Sequence, residues 1–327
     1  MPATALKVVQ LFKEPAGTWG SAACATVRLI GVTDAQASLD QEIYQPPSLG
    51  WLYPANQTVE VAQSASGSIK QEGLYQDICY WLDGVFGPAT ASAGVGTAQV
   101  RNYAAPIGGK TAPRSYTIEF GTTAAPIKML GAIPANITIE GEAGKVWTVS
   151  CDLIGQKMAT LTALSTSGIT NTRPVNLIRV ADTVLAVGDW TGSTYNAVTA
   201  SLISFSLKAD PKRHLKTFAG SVNPSSHGED RWEGSLATVL EFNSTAAGYV
   251  TAMLSGAVQR RIQLTATNTT PSRIAVVQLA GTLVEGAKLF EDRDGNITVS
   301  LKWNGTYSNT LGNWLKLKVT NELATLR

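Results

Sequence analysis

The sequence is poor in charge, cysteine and histidine, and each shortage excludes a class of function. Only 15% of its 327 residues are charged, and the formal net charge is +2. An ordinary soluble domain carries roughly 25% charged residues. A nearly neutral chain of this kind does not bind nucleic acid through a basic surface of the repressor or histone type. The three cysteines, Cys24, Cys79 and Cys151, are too few and too far apart for a disulfide framework or a zinc module, so we expect a reducing compartment.

Long apolar runs are absent as well. No stretch reaches the roughly 18 apolar residues of a transmembrane helix, so we expect no membrane partner. The apolar part of the opening MPATALKVVQLFKEP is shorter than that of a signal peptide, which predicts synthesis in the cytoplasm. In place of charge the chain has many Thr, Ala and Ser residues and 30 glycines, and 44% of its residues are hydrophobic. Its length allows two domains, each with a buried core.

The motifs that could carry chemistry are incomplete. His214 and His227 are the only histidines, they lack metal-ligand spacing, and no G-x-S-x-G motif is present. The segment Gly108–Thr111 lacks the upstream glycine and the strand–loop–helix context of a phosphate loop. The segment Glu291–Asn296 lacks the twelfth-position carboxylate of a calcium loop, and its Asp294-Gly295 pair predicts a β-hairpin turn instead. We therefore predict no catalytic residue, no cofactor and no metal.

The chain contains an internal repeat. Four pairs of short segments recur in the same order: Val27–Asp34 with Val175–Asp182, Gly67–Ile69 with Gly234–Leu236, Ser115–Glu119 with Arg261–Thr265, and Trp147–Ser150 with Ile297–Ser300. The pairs predict two tandem copies of one domain. Their unequal spacing predicts a surface insertion rich in Gly, Ala and Pro near 87–113 and a polar, basic one near 207–233. The expected organisation is an N-terminal arm (1–24), a first domain (25–158), a linker (159–174) and a second domain (175–327).

Each copy is predicted to be mostly antiparallel β with one helix. Short alternating or β-branched segments predict strands over 25–32, 58–62, 115–120, 137–140 and 146–154, and over 175–180, 200–207, 262–267, 274–279 and 297–303. One helical stripe is formed by Leu74, Ile78, Trp81, Leu82 and Val85. A shorter stripe, Ala246, Val250, Met253 and Leu254, follows Ser244, which we expect to be its N-cap.

The order of the landmarks identifies a family. The opening consists of Lys13-Glu14, Trp19–Ala22 and Leu29–Asp34, and a middle block combines Gly67–Ile69 with the helix from Gly73 to Phe86. The last block contains Ser115–Gly121, Gly131, Ala135–Glu140 and Val146–Gln156. In this order the motifs resemble the tail tube (major tail) proteins of long-tailed, non-contractile bacteriophages. The resemblance covers about residues 1–158 and extends to the second half through the internal repeat.

This resemblance implies a mainly β fold with two tandem β-sandwich or partial-barrel tube domains, each flanked by one α-helix. It implies a structural virion protein of the tail, not an enzyme, whose partners are further copies of itself and neighbouring tail proteins. Such domains form rings that stack into a tube, and the tape-measure protein and DNA occupy the lumen without tight binding. Two domains per chain predict a homotrimer that forms a pseudo-hexameric ring for DNA ejection. Few Lys and Arg residues fit such a conduit, because each phosphate contact adds affinity.

Contacts between stacked rings are expected from two loops. The first is the segment Tyr44–Asn56 of the first copy, and the second is the basic run of the second copy, which we expect to lie outside the lumen. The candidate residues are Trp51, Tyr53, Lys208, Lys212, Arg213 and Lys216. Aromatic residues are frequent anchors of protein interfaces.

Two alternatives remain at the level of sequence. The same domain could serve as a tail terminator or as the inner tube of a contractile tail. Alternatively, a β-sandwich adhesin could bind glycans through Trp19, Trp51 and Trp190, although the missing signal segment argues against export. An enzyme needs an acid–base pair, and none is recognisable among the scattered carboxylates.

Overall fold

The computed structural model describes residues 8–15, 17–21, 23–45, 58–94, 96–122, 126–169, 175–192, 194–198, 202–254, 256–268, 273–284, 289–293 and 295–326. Within these residues the fold is mainly β with two helices, and its antiparallel sheets do not close into a barrel. The expected mainly β fold class is confirmed.

The first half of the described chain contributes eleven strands and one helix. In chain order these are β1 (Val8–Lys13), β2 (Val27–Arg28), β3 (Val32–Tyr44), β4 (Val59–Glu72), α1 (Ile78–Phe86), β5 (Ser92–Ala93), β6 (Gln99–Ala104), β7 (Tyr116–Gly121), β8 (Pro126–Pro134), β9 (Ile137–Glu142), β10 (Thr148–Gly155) and β11 (Lys157–Thr160).

The second half begins with a short 3-10 turn and contributes a similar series of elements. They are the turn Val180–Asp182, β12 (Thr183–Asp189), β13 (Asn196–Ala197), β14 (Leu202–Asp210), β15 (His214–Lys216), β16 (Ser226–Gly228), β17 (Glu233–Glu241), α2 (Ser244–Leu254), β18 (Val258–Thr267), β19 (Ile274–Leu283), β20 (Leu289–Arg293), β21 (Asn296–Gly305) and β22 (Leu315–Asn321).

The strand pairings of the second half follow the pattern of the first. In the first half β1 pairs with β2 and β7, β7 with β8, β8 with β10 and β11, β10 with β4 and β9, and β4 with β3. In the second half β12 pairs with β13 and β18, β18 with β19, β19 with β21 and β22, β21 with β17 and β20, and β17 with β14. One helix follows β4 and the other follows β17. The two halves therefore have the same topology.

Two strand pairings join the halves in the described part of the chain. β9 pairs with β14, from Glu142 opposite Ser204 to Ile137 opposite Ala209. β6 pairs with β22. The first pairing creates one continuous sheet with the strand order β3-β4-β10-β9-β14-β17-β21-β20, which we call the long sheet. Buried residues of both halves form one hydrophobic core.

Three of the four repeated segment pairs lie on strands with equivalent pairing partners, namely β4 and β17, β7 and β18, and β10 and β21. The fourth pair does not. Val27–Asp34 spans β2 and the start of β3, whereas Val175–Asp182 precedes β12. The strand predicted over 175–180 is therefore wrong. This segment crosses between the halves and makes isolated bridges through Leu177 and Arg179 instead of a continuous ladder.

The structure also shows where the two insertions predicted near 87–113 and 207–233 lie. Residues 207–210 belong to β14, and the connection to β17 spans 211–232, the position that the β3–β4 connection holds in the first half. The segment near 87–113 holds β5 and β6, which have no counterpart after α2 in the described residues. Within the predicted arm (1–24), Val8–Lys13 forms β1, which pairs with β2 and β7. The predicted linker is anchored at Ser165, whose N–H donates to Glu119 at 2.9 Å.

The two helices differ in burial. All nine residues of α1 are buried, more than the predicted amphipathic stripe required. In α2 only Ala246 and Val250 are buried among the described residues. Its N-cap is Asn243, not the predicted Ser244, because the Asn243 side-chain oxygen accepts the N–H groups of Thr245 and Ala246, each at 3.0 Å. Neither helix has the length and apolarity that spanning a membrane requires, as far as the chain is described.

Candidate assembly surface

The long sheet has one buried face and one open face. Leu207 of β14 is buried in the core, so Ser206 and Lys208 of the same strand project from the opposite face. In register, Ser206 lies opposite Glu140 and Lys208 opposite Thr138. The Ser206 hydroxyl donates to the Glu140 carboxylate at 3.2 Å. The internal junction therefore contributes polar side chains to the open face.

This open face is polar and carries more acidic than basic side chains. The strand registers place eleven carboxylates on it, Asp34, Asp40, Glu42, Glu72, Glu140, Glu142, Asp152, Asp210, Glu233, Glu241 and Glu291, and three lysines, Lys70, Lys208 and Lys302. Serine, threonine and alanine occupy many of the positions between them. The face therefore has a negative net charge.

The long sheet ends in two edges. Over the described residues, β3 pairs with β4 alone and β20 with β21 alone. Unpaired backbone N–H and C=O groups at a sheet edge are a template for another strand. In the shared topology β3 corresponds to β14 and β20 corresponds to β9, so the open edges are the equivalents of the two strands that join the halves.

The β3–β4 hairpin extends beyond the rest of the long sheet. β10 pairs with β4 only from Glu72 to Ala65, while the ladder between β3 and β4 continues to Tyr44 opposite Val59. Exposed apolar side chains lie on this outer part: Leu39 (42% exposed), Ile43 (56%), Tyr44 (54%), Val59 (44%) and Val61 (44%). A cluster of exposed apolar side chains marks an interaction surface.

Arg213 is buried inside the chain and is not an exposed residue of a basic loop. Its guanidinium group donates to the carbonyl oxygens of Gly84 (2.8 Å), Pro134 (2.7 Å) and Val85 (2.5 Å) and to the Thr111 hydroxyl (2.9 Å). These acceptors lie at the end of α1, at the end of β8 and in the segment that follows β6. Arg213 therefore attaches the β14–β17 connection of the second half to the first half.

Glu229 completes this buried site. Its carboxylate accepts the Thr111 N–H at 2.6 Å and the Thr111 hydroxyl at 2.5 Å, and it lies 3.6 Å from the Arg213 Nε. Burial lowers the pKa of Arg213 to about 10 although Glu229 acts in the opposite direction, so the guanidinium stays charged at neutral pH. The Gly108–Thr111 motif is followed by β7 and not by a helix, so it lacks the context of a phosphate loop.

The other candidate contact residues lie in different places. Lys208 projects from the open face of the long sheet, 3.6 Å from the Asp210 carboxylate. Lys212 is exposed and forms ion pairs with Asp210 (3.5 Å) and Glu233 (3.0 Å). Lys216 ends β15 and is half-buried. Trp51 and Tyr53 lie outside the described residues. Lys208 and Lys212 therefore meet at the Asp210 carboxylate, whereas Arg213 is buried.

The two histidines differ in burial: His227 is half-buried and His214 is exposed. The His227 ring packs edge-to-face against Trp19, with ring centroids 5.9 Å apart. Burial, together with the nearby Arg213 charge, lowers the pKa of His227 below its usual 6.5. His214 is exposed and lies 3.6 Å from the Asp230 carboxylate.

The lowered pKa of His227 predicts a pH dependence of stability. Below about pH 6.5 the unfolded chain binds a proton at this residue more readily than the folded chain does. The free energy of unfolding therefore falls as the pH is lowered. We expect His227→Gln to lose less stability than the wild type when the pH is lowered from about 7 to 5, measured by urea unfolding. His214→Gln is the control and should follow the wild type. Equal losses in the His227→Gln variant and the wild type would contradict the prediction.

The landmarks of the sequence opening meet at one buried carboxylate. Glu14 accepts the N–H groups of Gly20 and Gly131, each at 3.0 Å, and the Thr117 hydroxyl at 2.9 Å. The Trp19 indole donates to the Gly131 carbonyl at 2.8 Å. Gly131 has φ +64°, and a Cβ atom there would lie 2.8 Å from the Trp19 nitrogen, so only glycine fits. The hydrogen bonds among these landmark residues therefore stabilise the fold.

The described chain combines two halves of one topology, an acidic open face and two open sheet edges. These features are typical of structural proteins that associate through their sheets. A comparison with protein-family models matches residues 9–305 to the family described as phage tail tube protein. The chain belongs to this family and is a structural protein of the virion tail, and membership implies self-assembly and contact with neighbouring tail proteins. A comparison with curated proteins finds no match.

Proposed function

We propose that three copies of this chain close into a ring with pseudo-sixfold symmetry and that such rings stack into the tail tube for DNA ejection. The supporting observation is the β9–β14 pairing inside the chain, together with the two edges β20 and β3 that correspond to it. If β20 of one copy pairs with β3 of the next, the contact between copies repeats the contact inside the chain. Three chains then supply six tube domains, each chain being a tandem duplication.

In such a ring the open face of the long sheet lines the lumen. Its excess of carboxylates disfavours tight binding of phosphates, which fits a channel that DNA and the tape-measure protein occupy and leave. Lys208 then lies inside the lumen, which differs from our expectation for the basic run. Lys212 and Lys216 remain candidates for contacts between stacked rings.

Electron microscopy and native mass measurement of the purified protein test this proposal. We expect rings or tubes with three chains of 34.5 kDa per ring. Six chains per ring would contradict the proposed symmetry, and particles that stay monomeric at high concentration would contradict assembly. A tube seen inside a sheath in the virion would favour the contractile alternative.

A disulfide test examines the proposed ring contact at residue level. The internal contact between Ser206 and Glu140 corresponds to Gln36 and Glu291 on the two open edges. Asp152 of β10 aligns with Lys302 of β21 in the repeat, and the strand registers lead from Asp152 through Ser68 to Gln36 and from Lys302 through Ala237 to Ser206. In a Cys24→Ser background, Gln36→Cys combined with Glu291→Cys should form disulfides between chains. Cys24 is replaced because it is a free, exposed thiol. The products on a non-reducing gel should be dimers and trimers, with nothing larger.

The matched control is Ser206→Cys combined with Glu140→Cys, which should form a disulfide inside the folded monomer. Each single variant should form neither product. If the control pair oxidises while the Gln36–Glu291 pair does not, in a sample that contains rings, the proposed edge contact is wrong. A ladder that continues beyond three chains would also exclude it.

A further inference from the structure

One end of the first half is covered by a segment of the second half. This end, which we call the rim, is where the β3–β4 and β14–β17 connections leave the long sheet. The β14–β17 connection crosses the rim of the first half. The Val222 carbonyl accepts the Gln63 N–H at 2.9 Å, and the Pro224 carbonyl accepts the Gln156 side-chain amide at 3.1 Å. Residues 211–232 thus cover the first half.

The equivalent rim of the second half is open. Gln156 and Thr306 occupy equivalent positions, because their N–H groups donate to Leu130 and Ala280 of the equivalent strands β8 and β19, at 2.9 and 2.8 Å. A cavity of about 1110 Å³ lies beside Thr306, between β17, β21 and residues 106–110. Four of its lining residues offer large apolar or aromatic surface: Ile107, Trp232, Tyr307 and Trp314. The second half thus has an open cavity where the first half holds residues 222–224.

The segment that corresponds to 211–232 lies within the outer part of the β3–β4 hairpin, residues 39–65, of which 39–45 and 58–65 are described. The five exposed apolar side chains of this outer part have been described above. β3 and β21 are six strands apart in the long sheet, roughly 29 Å at the usual strand spacing. The hairpin and the cavity therefore lie at opposite ends of one chain, and a ring would bring the hairpin of one copy to the cavity of the next.

We propose that the cavity beside Thr306 receives the outer part of the β3–β4 hairpin of a neighbouring copy in the same ring. The inference rests on the proposed ring, in which β3 of the neighbour lies beside β20 as β14 lies beside β9. It gives Trp51 and Tyr53 a contact within the ring instead of a contact with an adjacent ring. Burial of apolar side chains on both partners then stabilises ring closure.

Photocrosslinking tests where the hairpin lies. Benzoylphenylalanine replaces Trp51, in the part of the β3–β4 connection that lies outside the described residues. A mixture of ¹⁴N-labelled and ¹⁵N-labelled chains distinguishes crosslinks between chains from crosslinks within one. We expect crosslinks between chains to peptides that contain residues 106–110 or 302–307, in products of three chains or fewer. The matched control places benzoylphenylalanine at Asn223 and should crosslink within one chain, near Gln63 or Gln156.

Substitutions on both sides of the contact give a second test. Tyr307→Asp changes the cavity, and Trp51→Ala combined with Tyr53→Ala changes the hairpin. Each should raise the concentration needed for ring formation by about tenfold or more, because a desolvated aromatic anchor contributes at least that much to an interface. Tyr307 is 49% exposed, so the urea midpoint of the monomer should not change. Val184→Asp, at an equally exposed apolar position on β12, is the control and should assemble like the wild type.

The possible outcomes separate this inference from the proposed function. If the wild type forms rings while Trp51 crosslinks elsewhere, or only in products larger than three chains, the docking site is wrong and the ring remains. Normal ring formation by the Tyr307→Asp variant would overturn it in the same way. If the wild type forms no rings at all, the proposed function fails, and this inference fails with it.

Discussion

Replacing Arg213 with alanine should lower the free energy of unfolding by about 3–5 kcal/mol, the usual cost of removing one partner from a buried, paired charge. The guanidinium group satisfies three backbone carbonyls and the Thr111 hydroxyl. Without it, the buried Glu229 carboxylate also loses its positive neighbour. We expect the β14–β17 connection to detach from the first half, visible as new proteolytic cleavage at 212–231. Urea unfolding at pH 7 measures the loss of stability.

Two variants control for this effect. Lys212→Ala removes the neighbouring positive charge, which is exposed, and should leave stability unchanged because exposed ion pairs contribute little. Arg213→Lys keeps the charge but not the forked set of donors, so it should fall between the alanine variant and the wild type. A loss of less than about 1 kcal/mol in Arg213→Ala would show that the buried site does not hold the connection.

Trp147→Ala should also destabilise the protein by about 3–5 kcal/mol, as is usual for truncation of a buried tryptophan. The Trp147 side chain is fully buried and lies where the halves meet. Its ring packs edge-to-face against Phe205 of β14, with centroids 5.1 Å apart, and its indole donates to the Thr183 hydroxyl at 2.9 Å. Both partners belong to the second half, so the substitution removes contacts between the halves.

Thr183→Val separates the hydrogen bond from the packing. It removes the acceptor of the Trp147 indole and should cost about 1 kcal/mol, the usual net contribution of one hydrogen bond. If the valine variant loses as much stability as Trp147→Ala, the hydrogen bond and not the packing of the ring joins the halves. An unfolding midpoint of Trp147→Ala close to that of the wild type would contradict the structural role assigned to this residue.

Patterns within a few residues predict local structure well in this chain. Alternating apolar residues predict the strand over 115–120, which forms β7. The Asp294-Gly295 pair predicts a hairpin turn, and Gly295 lies between β20 and β21 with φ +82°. Asp294 itself lies outside the described residues. Such signals depend on strand periodicity and on the backbone freedom of glycine, both of which are properties of short segments.

Strand partners that are distant in the chain could not be predicted in the same way. β6 pairs with β22, and Arg101 of β6 opposes Val319. The sequence around 175–180 resembles a strand, yet its hydrogen bonds go to isolated partners such as Gly73 and Trp147. Arg213 lies in a polar run, and nothing near it in the sequence predicts its burial. The carbonyl groups that bind it come from α1 and β8, more than 75 positions earlier.

The amino-acid sequence alone was therefore enough for the mainly β class and the family, because each is encoded in local periodicity or in the order of short motifs. Tertiary structure decided how the two halves share one sheet, which edges remain open and which basic residue is buried. The physical reason is that backbone pairing and charge burial depend on groups brought together from distant parts of the chain. A residue's neighbours in sequence carry little information about these groups.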